Sequence, residues 1–183
     1  MTNNSEVEIR YQLKDETESA RVRNTLNANG WVLGKPVKQE DIYFCDANLK
    51  HTGKTKDSQY VLRVRQTIGG AKLTYKSFEG STDGSWIEIE SSISDPEAVQ
   101  LMLSKIGLAE YMRITKIRES SKIGDVEVNL DKIQGLGVFI EMEVMSQDVQ
   151  VGRDLLRDLA ESLGIPRSQT VTQGYVQLME NVI

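Results

Sequence analysis

Like-charged residues recur in this chain in pairs separated by a single, mostly apolar, residue. Glu6 and Glu8, Glu88 and Glu90, and Glu141 and Glu143 are acidic pairs; Arg63 and Arg65, and Lys116 and Arg118, are basic ones. Lys72 and Lys76 repeat the basic spacing around Thr74, and Glu127, Asn129 and Asp131 extend the acidic one. A spacing of two places both members on one face of a β-strand. Carboxylates held side by side repel, and a hard divalent cation bound through their oxygens relieves that repulsion. Clustered Arg and Lys call for a dense oxyanion, and phosphate suits both the guanidinium fork and the ammonium point charge. A metal-bound triphosphate meets both demands at once.

The elements that must carry these pairs are strands. Strict apolar/polar alternation predicts strands over Glu6–Leu13, Trp31–Phe44 (broken near Pro36), Tyr60–Gln66, Lys72–Phe78, Ser85–Ile93, Arg113–Ser121, Asp125–Ile133 and Phe139–Met145. Gly69–Gly70, Gly124 and Gly135–Gly137 supply turns between them. Helical spacing predicts Asp15–Ala28, with Val22 and Leu26 on its apolar face. A second helix starts at Pro96 behind an Asp95 cap, with Val99, Met102, Leu103 and Ile106 as its stripe. A third covers Asp148–Leu163 with Val151, Leu155, Leu159 and Leu163, and a short one lies around Tyr175–Met179. This order predicts an antiparallel α+β fold rather than a doubly wound one.

A half-buried sheet with one wet face would also alternate. Such a face mixes signs and residue types, whereas here the pairs are sorted by sign. About eight strands suffice to close a barrel with a small interior. The expectation is therefore an eight-stranded antiparallel barrel with helices packed outside and the charges inside. The interior would hold Glu6, Glu8, Glu88, Glu90, Glu127, Asp131, Glu141 and Glu143 facing Arg10, Arg63, Arg65, Lys72, Lys76, Lys116 and Arg118. Charges buried this way need partners or ligands.

The totals frame this reading. A chain of 183 residues, 39% hydrophobic and 27% charged, fits one domain over 1–183. A net charge of -5 argues against a broad grip on nucleic acid. Cys45 has no second cysteine to pair with, the polar start at Met1–Val7 carries no secretory signal, and no apolar run is long enough to span a bilayer. A cytoplasmic protein with no membrane partner is expected.

Glu6-Val7-Glu8-Ile9-Arg10 resembles the Glu-x-Glu-x-Lys signature of the CYTH superfamily, the triphosphate tunnel metalloenzymes. Segments matching the family follow in order: Gln39–Phe44, Leu62–Arg65, Leu73–Lys76, Glu88–Glu90, Lys116–Arg118, Leu130–Asp131, Leu136–Gly137 and Phe139–Glu143, with a closing Tyr175 and Leu178. The resemblance implies a triphosphate tunnel working with Mg²⁺ or Mn²⁺, and pairing as a homodimer. By position it implies metal ligands Glu6, Glu8, Glu141 and Glu143, and phosphate ligands Arg63, Arg65, Lys76, Lys116 and Arg118. Glu88, Glu90 and Glu127 become supporting tunnel acids; Arg10, Lys76 and Asp131 are the expected catalytic group, Asp131 as an acid reaching metal or water. Arg10 departs from the family's Lys, which in triphosphatase members is associated with positioning the attacking water. Arg keeps the charge, changes the geometry and cannot act as a base.

Two chemistries fit this pattern. The first expectation is a class IV adenylyl cyclase converting ATP to cyclic AMP and pyrophosphate. The alternative is a triphosphatase acting on thiamine triphosphate or inorganic triphosphate, and a second alternative is a non-catalytic nucleotide- or polyphosphate-binding module. Outside the charged pairs, His51 reads as a solvated loop residue, Cys45 as a packed thiol, and Trp31 and Trp86 as packing residues. Arg113 has the wrong parity to join Lys116 and Arg118, and Glu79–Ser85 reads as a flexible loop.

Overall fold

A computed structural model of the chain describes residues 5–51, 60–77 and 87–182. Trp86 and the loop Glu79–Ser85 lie outside the described residues. The chain groups into two compact units, one formed by residues 1–37 and 116–183, the other by 38–115.

The first unit contains β1 (Ser5–Leu13), α1 (Glu16–Ala28), the second half of β6 (Leu108–Ile123), β7 (Val126–Ile133), β8 (Gly137–Ser146), α4 (Val149–Ser162), a 3-10 turn (Arg167–Gln169), β9 (Thr170–Val171) and α5 (Tyr175–Glu180). Its strands pair antiparallel in the order β6-β7-β8-β1-β9. The apolar parity of β1, β7 and β8 (Val7, Ile9, Tyr11, Val128, Leu130, Ile140, Met142 and Val144) packs with Val22 and Leu26 of α1 and Leu156 and Ala160 of α4 into one core. Asp15 caps α1 by accepting from the Glu18 amide, as Asp148 caps α4.

On α4 the buried stripe is Gly152, Leu156, Ala160 and Leu163, not the expected Val151 and Leu155, which are 63% and 48% exposed. Gly152 explains the rotation. A Cβ there would lie 3.0 Å from Val7 Cγ2, 3.0 Å from Ser146 Cβ and 3.2 Å from Val144 Cγ1. The helix rests its backbone on the sheet at that point, and a size-blind apolar count selects the neighbouring stripe.

The second unit contains β2 (Val37–Asp46), α2 (Ala47–His51), β3 (Tyr60–Thr67), β4 (Gly70–Ser77), β5 (Ile87–Ile93), α3 (Pro96–Lys105) and the first half of β6. Its strands run β5-β4-β3-β2, with β6 next to β2. Ile42, Phe44, Leu62 and Val64 form its core with Leu103 of α3. Val99 packs against that core from the same helix, while Met102 and Ile106 of the expected stripe are exposed. His51 ends α2 rather than lying in a loop, Cys45 and Trp31 are buried as packing residues, and Arg113 pairs with Glu110 and Glu40.

Among the described residues the architecture is α+β with a nine-stranded antiparallel sheet and five α-helices. The strand order ends at β5 and β9, and among the described residues no hydrogen-bonded pairing joins those ends. The expected antiparallel α+β architecture is present with nine strands instead of eight: the two-residue strand β9 occupies the outer edge of β1 at Arg10 and Tyr11. Among the described residues no helix is long and apolar enough to cross a membrane.

Candidate active site

Strand register assembles the site of the first unit. Glu8 on β1 faces Glu143 on β8, which faces Glu127 on β7; one rung along, Arg10 faces Glu141, which faces Asn129. Arg118 on β6 faces Asp131. These residues share a sheet face, and that face is not wet: Lys116, Asn129, Asp131 and Glu141 are all buried. A solvated polar surface does not bury two carboxylates and an ammonium, so the alternation marks a buried charged face.

Glu141 sits between two arginines. Its Oε2 accepts from Arg10 Nε at 3.0 Å and Nη2 at 2.6 Å, and its Oε1 accepts from Arg118 Nη2 at 2.7 Å. Arg10 also donates to Glu8 and, at 2.9 Å, to the Gln173 carbonyl. Asp131 takes Arg118 Nε on Oδ1 at 2.7 Å, and Arg118 Nη2, Lys116 Nζ and the Tyr175 hydroxyl on Oδ2 at 2.5, 3.2 and 3.0 Å. The Tyr175 ring lies under Arg10, 4.2 Å from its guanidinium carbon, with Lys116 Nζ 5.2 Å from the ring centre.

These contacts pull the two carboxyls of the β8 pair apart in acidity. Burial alone would raise the Glu141 pKa, but Arg118, Arg10 and Lys116 hold it well below the usual carboxylate range. Burial also raises Glu143, and the charges pressing hardest on it are other carboxylates, Glu141, Glu6 and Glu8; its pKa is pushed up to about 9. Burial would lower Arg10, but Glu141 and Glu8 hold it above its ordinary value.

Carboxylate oxygens of Glu8, Glu141 and Glu143 lie within 4.8 Å of one another. Three clustered hard oxygen donors, one of them retaining its proton for lack of positive charge, fit a divalent cation. Of the four expected metal ligands, Glu6 stands outside this trio: it is exposed and faces Met145 in register. Glu127 is partly buried beside Glu143.

In the second unit, Arg65 grips buried Asp41 with two parallel bonds, Nε to Oδ1 at 2.6 Å and Nη2 to Oδ2 at 2.8 Å. Arg63 donates to Thr74 Oγ1 at 3.2 Å, and its buried Nε has no hydrogen-bond partner among the described residues. Lys76 pairs with Glu88 and Lys72 with Glu90. Glu88 and Glu90, expected as supporting acids, are exposed.

Reading by charge missed Asp41, Asn129 and Tyr175 as site residues. Asp41 and Asn129 carry the charged parity of their strands and were legible as such. Tyr175 comes from a helix, and only the tertiary fold brings it under Arg10.

The chain matches the CYTH domain over residues 4–175. It belongs to that family. A Methanocaldococcus jannaschii protein provisionally named an adenylate cyclase is 31% identical over 179 residues, 94% of this chain and 97% of that one. The adenylate cyclase CyaB of Aeromonas hydrophila is 27% identical, with 96% of this chain and 88% of its own length covered. A Hippeastrum protein provisionally called an adenylyl cyclase, and reported to have a dominant triphosphatase activity, shares the fold with a TM-score of 0.69 at 15% identity, covering 98% of this chain and 96% of that chain.

Proposed function

We propose that this chain is a metal-dependent enzyme acting on a triphosphate substrate, and that its reaction is that of a class IV adenylyl cyclase. The observation that carries the proposal is the carboxylate trio Glu8, Glu141 and Glu143 set directly against Arg10 and Arg118. Mg²⁺ or Mn²⁺ bound there would supply Lewis-acid charge to the phosphate oxygens and the attacking hydroxyl. Arg63, Arg65, Lys76, Lys116 and Arg118 are the phosphate ligands in this reading, in the tunnel that the family resemblance implies. Their charges stabilise what develops on the phosphate oxygens. In the cyclase reaction the ribose 3′-oxygen bonds to the α-phosphorus, the bond to pyrophosphate breaks, and the hydroxyl proton is released.

Asp131 takes a positioning role here rather than contact with metal or water. Its two oxygens accept four bonds, from Arg118, Lys116 and Tyr175, which fixes both cations. The triphosphatase reading is the alternative, supported by the activity reported for the Hippeastrum neighbour. Arg10 favours the cyclase: with its donors on Glu141, Glu8 and Gln173 and its face on Tyr175, it is tied down by four groups and not presented to a water. The same reading includes a cytoplasmic location and a homodimer.

Product analysis with ATP, thiamine triphosphate and inorganic triphosphate, each with Mg²⁺ and with Mn²⁺, tests the proposal. Cyclic AMP with pyrophosphate is the expected result. Orthophosphate from the other substrates without any cyclic nucleotide would make the chain a triphosphatase, and no product from any of them would favour a binding module or a different substrate.

A further inference from the structure

One buried polar group in the candidate site has no use in the reading above. Asn129 on β7 is 0% exposed. Its Oδ1 accepts from Ser120 Oγ at 2.5 Å, while its Nδ2 has no hydrogen-bond partner among the described residues. Buried amide donors are seldom left unsatisfied, and each such group calls for an explanation.

The register supplies one. Ser120 on β6 and Glu141 on β8 are the two cross-strand neighbours of Asn129. Ser120 takes up Oδ1 from the β6 side, and the cross-strand neighbour of Asn129 on the β8 side of the same face is Glu141. Such cross-strand pairs hold their Cβ atoms about 4.5–5.5 Å apart. The reverse amide orientation would set a carbonyl oxygen beside carboxylates, so electrostatics favours the same arrangement. Glu141 instead accepts from Arg118 on Oε1 and from Arg10 on Oε2.

We propose that Asn129 is a positioning residue for the metal ligand Glu141. The inference rests on reading Glu8, Glu141 and Glu143 as the metal site. With Arg118 drawn to a triphosphate, Glu141 would be free to hold a cation while also accepting from Asn129 Nδ2. The ligand keeps its orientation without an arginine being withheld from phosphate. Hydrogen-bonded partners of this kind are usual for ligating carboxylates, and losing one weakens metal binding substantially.

The test is Mn²⁺ titration followed by electron paramagnetic resonance, on the full chain, with and without imidotriphosphate, whose P–N–P links resist hydrolysis. Asn129→Ala is expected to weaken Mn²⁺ roughly 10-fold when imidotriphosphate is present. Without it, when the arginines still hold Glu141, little change is expected. Ser120→Ala, which frees the amide to rotate, should give a smaller loss in the same direction. Equal affinities of wild type and Asn129→Ala with imidotriphosphate would overturn the proposal, as would an equal loss in both states. Weakened imidotriphosphate binding with Mn²⁺ binding intact would make Asn129 a phosphate ligand and overturn it too. Should Asn129→Ala not fold, an unchanged Ser120→Ala decides against it. If the wild type binds imidotriphosphate but no Mn²⁺, the metal-site reading falls first and this one with it.

Discussion

The Tyr175 hydroxyl donates to Oδ2 of Asp131 at 3.0 Å. Burial, then Glu141 and Asp131, raise the phenol's pKa well above its ordinary value, so it stays a neutral donor. Its ring meanwhile carries Arg10 on one side and packs edge-on against Phe139, centroids 5.3 Å apart. Tyr175→Phe is expected to cost about 1 kcal/mol of stability through the lost hydrogen bond. Tyr175→Ala removes the ring as well and is expected to cost about 3 kcal/mol. Urea unfolding of both variants checks this; equal losses would mean that the ring supports nothing.

The charged face of the site was legible because a strand's period of two is read directly from sequence: Glu8, Arg10, Arg118, Asp131, Glu141 and Glu143 fall on it with no knowledge of pairing. Pairing was not legible. That Glu8 meets Glu143 while Glu6 meets Met145 is a matter of register, and register follows from turns and tertiary packing rather than from any one strand. The same holds for Tyr175, whose partners are 44 and 165 positions away. The α4 stripe failed for another reason: Gly152 counts as nothing on a hydropathy scale, yet its missing side chain sets the closest approach of helix to sheet.

Gly152→Val tests that approach. Ala at this position would gain roughly 1 kcal/mol of helix propensity against the crowding of one methyl group. Val adds two further carbons where the first already meets Val7 and Ser146 at 3.0 Å. A loss of about 2 kcal/mol is expected for Val, seen as a lower Tm. A Tm at or above wild type would show that α4 can lift from β1 and β8 without penalty.

Asp41 and Arg63 should separate stability from turnover. Asp41→Asn breaks a buried fork on Arg65 and is expected to destabilise by about 3 kcal/mol. Arg63 bonds Thr74 at 3.2 Å, hydrogen-bonds the Tyr43 hydroxyl, reaches Asp41 only at 3.9 Å and keeps a buried Nε unpartnered, so Arg63→Ala should cost less stability than Asp41→Asn while turnover is abolished. Thermal melts beside a product assay distinguish the two, and full activity in Arg63→Ala would remove that residue from the phosphate site.

Arg10→Lys replaces a guanidinium that reaches Glu141, Glu8 and the Gln173 carbonyl together. A single ammonium nitrogen, without the guanidinium's spread of donors, cannot span all three. The variant should lose affinity for triphosphate and shift its products from cyclic nucleotide towards hydrolysis, because a side chain released from those ties can address a water. An unchanged product ratio by chromatography would mean that this position does not choose the nucleophile.

The acidic trio gives the protein a pH dependence that metal should invert. With Glu143 pushed up to about 9 from an ordinary 4.5, the folded chain keeps a proton that the unfolded chain releases. Metal-free stability therefore falls as pH rises between those two values. Glu141 acts in the opposite direction at the acid end: held well below the usual range by Arg118, Arg10 and Lys116 against its burial, it contributes stability above the unfolded carboxylate pKa and loses it as pH drops through its folded value. A divalent cation bound at the trio would take the place of the Glu143 proton, so its stabilising effect should grow with pH across the upper window. Tm measured from mildly acidic to mildly alkaline pH, with EDTA and with Mg²⁺, should show curves that diverge upward in pH. Glu143→Gln, which mimics the protonated carboxyl, should flatten the EDTA curve and reduce the Mg²⁺ response. Parallel wild-type curves, or a Glu143→Gln profile that still falls with pH, would place the titrating group elsewhere and take Glu143 out of the metal site.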